Sequence, residues 1–534
     1  SIIGIETKKF NNQIQSKIKE LDKNLNIELK DIKIILNPLK FNLSLKTIGP
    51  KVFYKDKFLE IENIKSSISL KSFFEDKFFI ELLNISTKSI EIDDLISFSR
   101  SFYQKPELII LEKFLNVKGF LIADISLKFD SKGNLENNFI IKGFVKDAKL
   151  NLSKNHKVEK LNFVFDVSKD FFVIEDLKLN VNKINFNSKK IIASKFEDRF
   201  KIEGNFKNDY STLDENSIIY FKKFLSPNVI LKKINFSSNN KFSLNLNKNF
   251  ELGQTNLSSK IKIKDAIIIY KKNFKEIFPG IKDEINFFDH EINFDYKKNF
   301  SSINGKGDII FQKKKEFISY KFENNNNDFI FENLLKIKHS SFLLDFLNFE
   351  KKSSTDTIIK LSGKKNIKGN LLIKSFSLNE GNNNIEIKNL IVDKNNIINQ
   401  FDNISLNYFD KDDQKNSINI NKNNKDYVLK GETFNADNLI ENLLINTTKS
   451  KFFINDLKIK INIKKVRMDS EYQLNNLKGE LIFKNQKLFS GNLSGDFPEN
   501  KKLNFAVRSK DNNKVTTFTI DHAKPIVKRY KFVK

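Results

Sequence analysis

The four histidines, His156, His290, His339 and His522, are the first places to look for chemistry. They stand far apart, and no pair has the spacing with which a helix or tight loop presents two imidazoles to a metal. Asp289-His290-Glu291 is the most suggestive cluster. Neighbours on a strand point to opposite faces, so the sequence predicts only a surface role for it. Gly305-Lys306-Gly307 lacks the remainder of a phosphate-binding loop and reads as a turn. Asp410-Lys411-Asp412-Asp413 lacks the central glycine and terminal glutamate of a calcium loop and reads as a solvated tip. Triplets such as Asn84-Ile85-Ser86 arise by chance in an Asn-rich chain. With no cysteine there is no thiol nucleophile, thiolate metal site or disulfide framework. No nucleophile–base constellation is visible, so neither enzymatic activity nor a cofactor is expected.

What the chain repeats instead is alternation. In Leu39-Lys40-Phe41-Asn42-Leu43-Ser44-Leu45-Lys46 every odd position is apolar and every even one polar. A strand with that text has one greasy face and one wet face. The same text recurs around Ile64, Ile68 and Leu70, at Leu161, Phe163, Phe165 and Val167, at Phe242, Leu244 and Leu246, and at Leu457, Ile459, Ile461 and Ile463. The residues expected to line a shared apolar face are Leu39, Phe41, Leu43, Leu45, Ile68, Leu161, Phe163, Phe165, Leu457, Ile459 and Ile461.

A chain of 534 residues would ordinarily divide into several domains joined by Pro-, Gly- or Ser-rich linkers. With 7 Pro and 17 Gly and no such linker, one continuous architecture is expected. The formal net charge of +27 raises nucleic acid as a partner. The basic residues are nearly all lysines that alternate with apolar residues, however, and base recognition favours arginine. The lysines therefore read as a solvated face, with anionic lipid head groups as a secondary attraction. No run has the 18 or more apolar residues of a membrane-spanning helix. The opening Ser1-Ile2-Ile3-Gly4-Ile5 reads as the tail of an anchor, and the end at Lys534 falls within an element, so a piece of a longer protein is expected.

Phe10, Ile14, Ile18, Leu21 and Leu25 form a helical stripe, read as a helix capping the open end of the sheet in preference to one lying on a membrane. Short helices are predicted around Leu95–Phe102, Ser211–Leu225, part of Phe329–Phe349, and Ala436–Leu444; strands fill the rest. About 25 strands at ~4.8 Å spacing would make a ribbon on the order of 120 Å long, which must twist, curl or split. The expected class is mostly β: a long, twisted, curled antiparallel sheet forming an elongated groove with an apolar interior, an N-terminal capping helix and a few short helices. Several packed sandwiches would carry the same alternation.

The opening helix, the stretch from Ile27 to Leu39, Ile48-Gly49-Pro50-Lys51-Val52, and Ile61 to Leu70 followed by Ile90 to Leu95 resemble the start of AsmA-like envelope proteins, the group that includes the YhdP and TamB types. Gly431 to Ala436, Leu474 to Gly479 and Phe518 to Ala523 are similar to late segments of the YhdP-like branch. The resemblance implies an amphipathic helix over 1–26 following an anchor outside this chain. It also implies an AsmA-like β region over 27–116, a central β-groove over 117–430 and a truncated AsmA-like region over 431–534. It implies a periplasmic, inner-membrane-anchored protein that shelters phospholipid acyl chains between inner and outer membrane, with envelope proteins as further partners and no nucleic acid. A structural or adhesive array of β-sandwiches without lipid cargo is the alternative.

Overall fold

A computed structural model describes residues 4–8, 11–37, 42–69, 80–102, 108, 112, 116–130, 134, 136, 138–153, 156–196, 199–218, 227–247, 251–272, 274–352, 354–395, 397–437, 456–469, 471–484, 487–510, 513–521 and 524. Among the described residues strands dominate, and 32 of them belong to one sheet that is not closed. A separate two-stranded hairpin pairs Phe342–Leu344 with Phe349–Lys351. The expected class, a mostly β chain built on a long open sheet with few helices, is observed.

The chain divides into two compact units. The first comprises Ser1–Leu225, Lys233–Ile261 and Tyr296–Lys298; the second comprises Ser226–Lys232, Lys262–Asp295 and Asn299–Lys534.

In the first unit, the strand Gly4–Thr7 pairs antiparallel with Ile32–Asn37, so residues of the opening stretch form a strand of the sheet. The helix Asn11–Leu21 lies beside the strand Leu25–Glu28, and Asn11 Nδ2 donates to the carbonyls of Leu29 and Lys30 at 3.1 and 2.7 Å. Lys57–Ser69 is long enough to serve two partners, Lys51–Tyr54 along its first half and Asn42–Ile48 along its second. An antiparallel meander follows from Ile80–Thr87 through Lys118–Lys128, Ile140–Ser153, His156–Val167, Phe171–Val181 and Ile184–Phe196 to Arg199–Asp214. Asn182 and Lys183, both at positive φ (48° and 72°), turn one hairpin tightly, the backbone twist that suits paired strands. The expected helix from Ser211 is corrected at its start: Ser211 to Asp214 continue a strand and Glu215–Ile218 is helical, while the rest of that stretch lies outside the described residues.

The helix Ile92–Phe102 has Asp93 and Asp94 in its first turn, where carboxylates suit the positive end of the helix dipole. It buries Ile96 and Phe98, the latter packed with Leu59, Ile61 and Ile90.

The second unit is a meander from Phe300–Ile310 to Asp426–Asn435 and from Leu457–Arg467 to Asn513–Ile520. Where those two runs meet, Asp426–Asn435 and Leu457–Arg467 pair in parallel, which corrects the purely antiparallel expectation. A parallel pair needs a crossover of a dozen or more residues, and residues 436–456 supply it. The helix expected over Ala436–Leu444 falls largely outside the described residues. Within the stretch Phe329–Phe349, Asp328–Ile337 is a strand whose alternation is blurred by apolar residues on both faces, and the helical part is a short 3-10 turn at Asp345–Leu347. The later part of that stretch does cross the sheet, as the hairpin of Phe342 and Phe349.

Candidate functional site: two apolar faces

Strand register assembles each apolar face from single residues. In the first unit, direct cross-strand neighbours run Ile32, Thr47, Ile64, Ile85, Ile125, Ile141, Val167, Phe172, Ala193, Ile202 and Leu244. A second row beside it runs Ala123, Gly143, Phe165, Ile174, Ile191, Gly204 and Phe242. In the second unit a row runs Tyr320, Asn333, Leu361, Phe376, Ile387, Ile404, Ile420, Leu429, Ile461, Gly479, Leu493, Phe505 and Phe518. Most of these side chains are half-buried, and Phe172 and Phe518 are exposed.

Several glycines on these faces sit under a neighbouring ring. A Cβ on Gly204 would come 3.0 Å from Phe242 Cζ, and one on Gly363 would come 2.8 Å from Phe331 Cζ. Each ring lies on a cross-strand partner of its glycine, so it covers backbone that has no side chain of its own.

The opposite face is polar. Lys142 lies in register with Asp124 and Asp166, 3.1 Å from the latter, and Lys190 pairs with Glu175 across strands at 3.0 Å. Such exposed pairs contribute little stability; their effect is to keep this face wet. A hollow of about 530 Å³ in the second unit opens among Ser319, Lys321, Glu332, Lys360 and Ser362 of this polar face. It is shallow and lined by solvated side chains, so it does not compete with the apolar rows as a site. The polar face of the first unit also carries an apolar patch, Phe120, Ile122, Phe144 and Val164, with Ile122, Phe144 and Val164 in direct register.

Each apolar face is partly roofed. In the first unit the helix Ile92–Phe102 covers Ile64 and Ile85. In the second, Phe342 and Phe349 of the separate hairpin pack with Ile337, Leu378, Ile385, Leu406, Tyr408 and Ile418. Polar tethers hold this hairpin. Gln312 exchanges hydrogen bonds with the Ser341 backbone at 2.8 and 3.1 Å, and Tyr408 donates its hydroxyl to the Leu347 carbonyl at 2.8 Å. The Glu316 carboxylate accepts from the backbone N–H groups of Lys338, His339 and Ser340 at 2.7, 2.9 and 2.7 Å. Lys351 is fully buried, donates to the carbonyls of Lys338 and Lys352, and has its pKa pushed down by that burial, with Glu380 and Glu316 opposing the shift.

No family model and no curated protein matches the chain.

Of the residues expected to line the face, Leu39 and Phe41 lie outside the described residues. Leu43, Leu45 and Ile68 share the face of Thr47 and Ile64. Leu161, Phe163 and Phe165 pack with Ala148, Val145 and Ala123 on the same side of the first unit. Leu457, Ile459 and Ile461 lie on the face of the second unit, opposite Phe483, Leu481 and Gly479. Leu244, from the alternating stretch Phe242 to Leu246, and Phe376, Ile387, Ile404, Ile420 and Ile202 belong to the same rows; the last five are not singled out by the sequence, although Phe376-Ser377-Leu378 and Ile404-Ser405-Leu406 carry the same alternation.

Three local expectations are corrected. Gly305-Lys306-Gly307 is not a turn but lies inside the strand Phe300–Ile310, paired with Tyr320, Ser319 and Ile318. His290 is buried rather than on the surface; its Nε2 lies 3.0 Å from the Asp308 carbonyl and its ring packs on Phe287 and Tyr320. A carbonyl only accepts, so Nε2 carries the proton, and burial pushes the imidazole pKa down. Asp410 is buried too. It accepts from Asn435 Nδ2 at 2.8 Å and from the Asp412 and Gln414 backbone at 3.0 and 2.8 Å, so it braces a turn. Among the described residues no group of three His, Asp or Glu side chains could hold a metal, and no helix is long and apolar enough to cross a membrane.

Proposed function

We propose that this chain carries phospholipid acyl chains on its apolar faces as a lipid-transport or lipid-homeostasis protein of a two-membrane cell envelope. The observation that carries the reading is the run of half-exposed Ile, Leu and Phe side chains on successive strands of each unit, roofed only in part by the described residues. Contiguous apolar surface of that kind marks a binding site more often than a free surface. Each methylene taken out of water gains about 0.8 kcal/mol, so an alkyl chain laid along the rows is stabilised without any specific polar contact. Uniform contacts of this sort also suit sliding, since no position holds the cargo by a directional bond. The lysine-rich opposite face stays in water and suits an anionic membrane surface. The envelope location and the attachment to inner and outer membrane rest on the resemblance to AsmA-like proteins.

The test is organic extraction of the purified chain followed by lipid mass spectrometry. Phospholipid at a fixed molar ratio is expected. Protein that purifies without lipid and takes up none from vesicles would favour the sandwich-array reading instead.

A further inference from the structure

Leu378, Ile385, Leu406 and Ile418, in direct register on four strands of the second unit, are 1%, 2%, 8% and 6% exposed. Two residues along the same strands and on the same face, Phe376, Ile387, Ile404 and Ile420 are only half-buried. What separates the two rows is the segment 338–356, whose Phe342 and Phe349 pack on the first. We propose that residues 338–356 form a strap that lifts off the second unit as one body while the sheet stays paired, and that the strap and an alkyl chain compete for the row beneath it. The lifting does not depend on the lipid reading; the identity of the competitor rests on it.

The topology allows the strap to move alone. Asp328–Ile337 and Thr357–Asn366 pair in unbroken register up to Ile337 and Thr357. The strap thus leaves the sheet and returns to it between two residues that already face each other, and no bond of that ladder passes through it. Its hairpin belongs to a separate two-stranded sheet. Its base is closed on itself: the Ser354 N–H donates to the Lys338 carbonyl at 2.9 Å, and Lys351 Nζ donates to the carbonyls of Lys338 and Lys352 at 3.2 and 2.9 Å. A segment with its own internal bonds is the kind of unit that opens locally without global unfolding.

The strap is fastened at its base and at its tip. Glu316 and Gln312 hold the backbone from Lys338 to Ser341. Further on, the Leu343 N–H donates to the Ile277 carbonyl at 2.8 Å, and the Lys411 N–H donates to the Asn348 carbonyl at 2.8 Å. Asn348 Nδ2 also donates to Asp412 Oδ2 at 2.9 Å, beside the bond from the Tyr408 hydroxyl to Leu347. Closure has a cost at the base. Ser340 Oγ and Thr357 Oγ1 are buried with no hydrogen-bond partner among the described residues, and each residue is 1% exposed. Lifting lets water reach both hydroxyls, which offsets part of the cost of wetting Phe342 and Phe349. The closed form dominates because those rings are buried. An apolar ligand that binds only the uncovered row raises the population of the open form.

The chain has no cysteine, so a disulfide between Asn348→Cys and Asp412→Cys would pin the tip without competing thiols. The reduced form of the same variant controls for a cysteine at the Asn348 φ of 53°. In the wild type and the reduced variant, hydrogen exchange is expected to show the amides of Lys338, His339, Ser340, Ser341, Leu343 and Lys411 opening together. Their opening should be faster than that of the ladder amides in 328–337 and 357–366 by about tenfold or more. Lys411 lies on the sheet side of the contact, so its joining the group marks lifting of the strap as a body. Tyr408→Phe, which keeps the ring and loses the bond to Leu347, should speed that opening severalfold with the ladder unchanged. Oxidation should slow it to the ladder rate. A photoactivatable diazirine alkane should label Leu378, Ile385, Leu406 and Ile418 severalfold less in the oxidised than in the reduced variant.

Contact amides that exchange only with the ladder would overturn the separate motion. Equal labelling of the covered row in both redox forms would overturn the competition, and label on Phe376, Ile387, Ile404 and Ile420 would then leave lipid carriage standing. Absence of label from both rows would remove the alkyl competitor together with the lipid reading, and the exchange rates would still decide the lifting.

Discussion

The phenol ring of Tyr320 lies across Gly305, its cross-strand partner: a Cβ built on the glycine would sit 2.5 Å from Tyr320 Cζ. All three of the nearest atoms belong to the Tyr320 side chain, so the glycine is demanded by the phenol and not by backbone strain. Gly305→Ala should therefore destabilise the second unit by about 1–3 kcal/mol, the usual cost of overpacking. Adding Tyr320→Leu to the Gly305→Ala variant should recover part of that loss, because the clash goes with the ring. Urea midpoints of the single and double variants would give the coupling, and strict additivity would mean that the two residues act independently.

Phe163 and Val164 are adjacent in the chain and face opposite ways: Phe163 packs in the apolar cluster around Phe165, while Val164 is 42% exposed on the polar face. Phe163→Asp is expected to abolish most lipid co-purification, and Val164→Asp to leave it near the wild-type level. Equal loss in both variants would show that added negative charge, and not the face that bears it, governs lipid content.

Burial holds the His290 pKa below its ordinary 6.5, against the opposing pull of the Asp308 carbonyl and of the Asp308 and Asp289 charges. The unfolded chain then binds a proton over a pH range in which the folded chain does not, so acid favours unfolding. The stability contributed by neutral His290 is complete above pH 6.5 and is lost as pH falls below 6.5 towards the folded-state value. Thermal midpoints should accordingly fall as pH drops from about 7 to about 5.5, and His290→Gln should flatten that part of the profile. An identical slope in the variant would assign the acid sensitivity to other groups.

Glu316 satisfies three backbone amides at once, and a charged acceptor makes each such bond worth about 1.5–3 kcal/mol. Glu316→Ala should cost at least ~3 kcal/mol and release the 338–341 segment first. Hydrogen exchange would show protection lost at Lys338, His339 and Ser340 ahead of the strands. Uniform loss across the second unit would mean that the carboxylate supports the whole sheet and not the hairpin alone.

The two-residue period made the strand faces legible. A side chain on a strand has only two directions, and water and core sort them. Leu43 and Leu45, or Ile459 and Ile461, could be placed from their spacing alone. Where the period is broken, reading from sequence fails for a physical reason. Asp147, Asp176 and Asn389 adopt positive φ at irregularities that shift the face by one residue, and Asp and Asn tolerate that conformation without announcing it. Asp328–Ile337 carries Phe329 and Phe331 on one face and Ile330 and Leu334 on the other, a density that imitates a helix. The roof made by Phe342 and Phe349 depends on contacts distant in sequence with Leu378, Leu406 and Tyr408, which no local pattern encodes. Burial of His290 and Asp410 likewise depends on partners contributed by other strands.

The parallel pairing of Asp426–Asn435 with Leu457–Arg467 bears on how the second unit assembles. Most hairpins on either side of it close through short turns, so those strands can zip in sequence order at small entropic cost; the exception is Asp328–Ile337 with Thr357–Asn366, joined through residues 338–356. The parallel contact closes only when residues 436–456 have looped back, and contacts between distant residues form late. The second unit is thus two antiparallel meanders joined along a parallel seam that closes late. A pulling force or a destabilising change should part the sheet there before it unravels a hairpin.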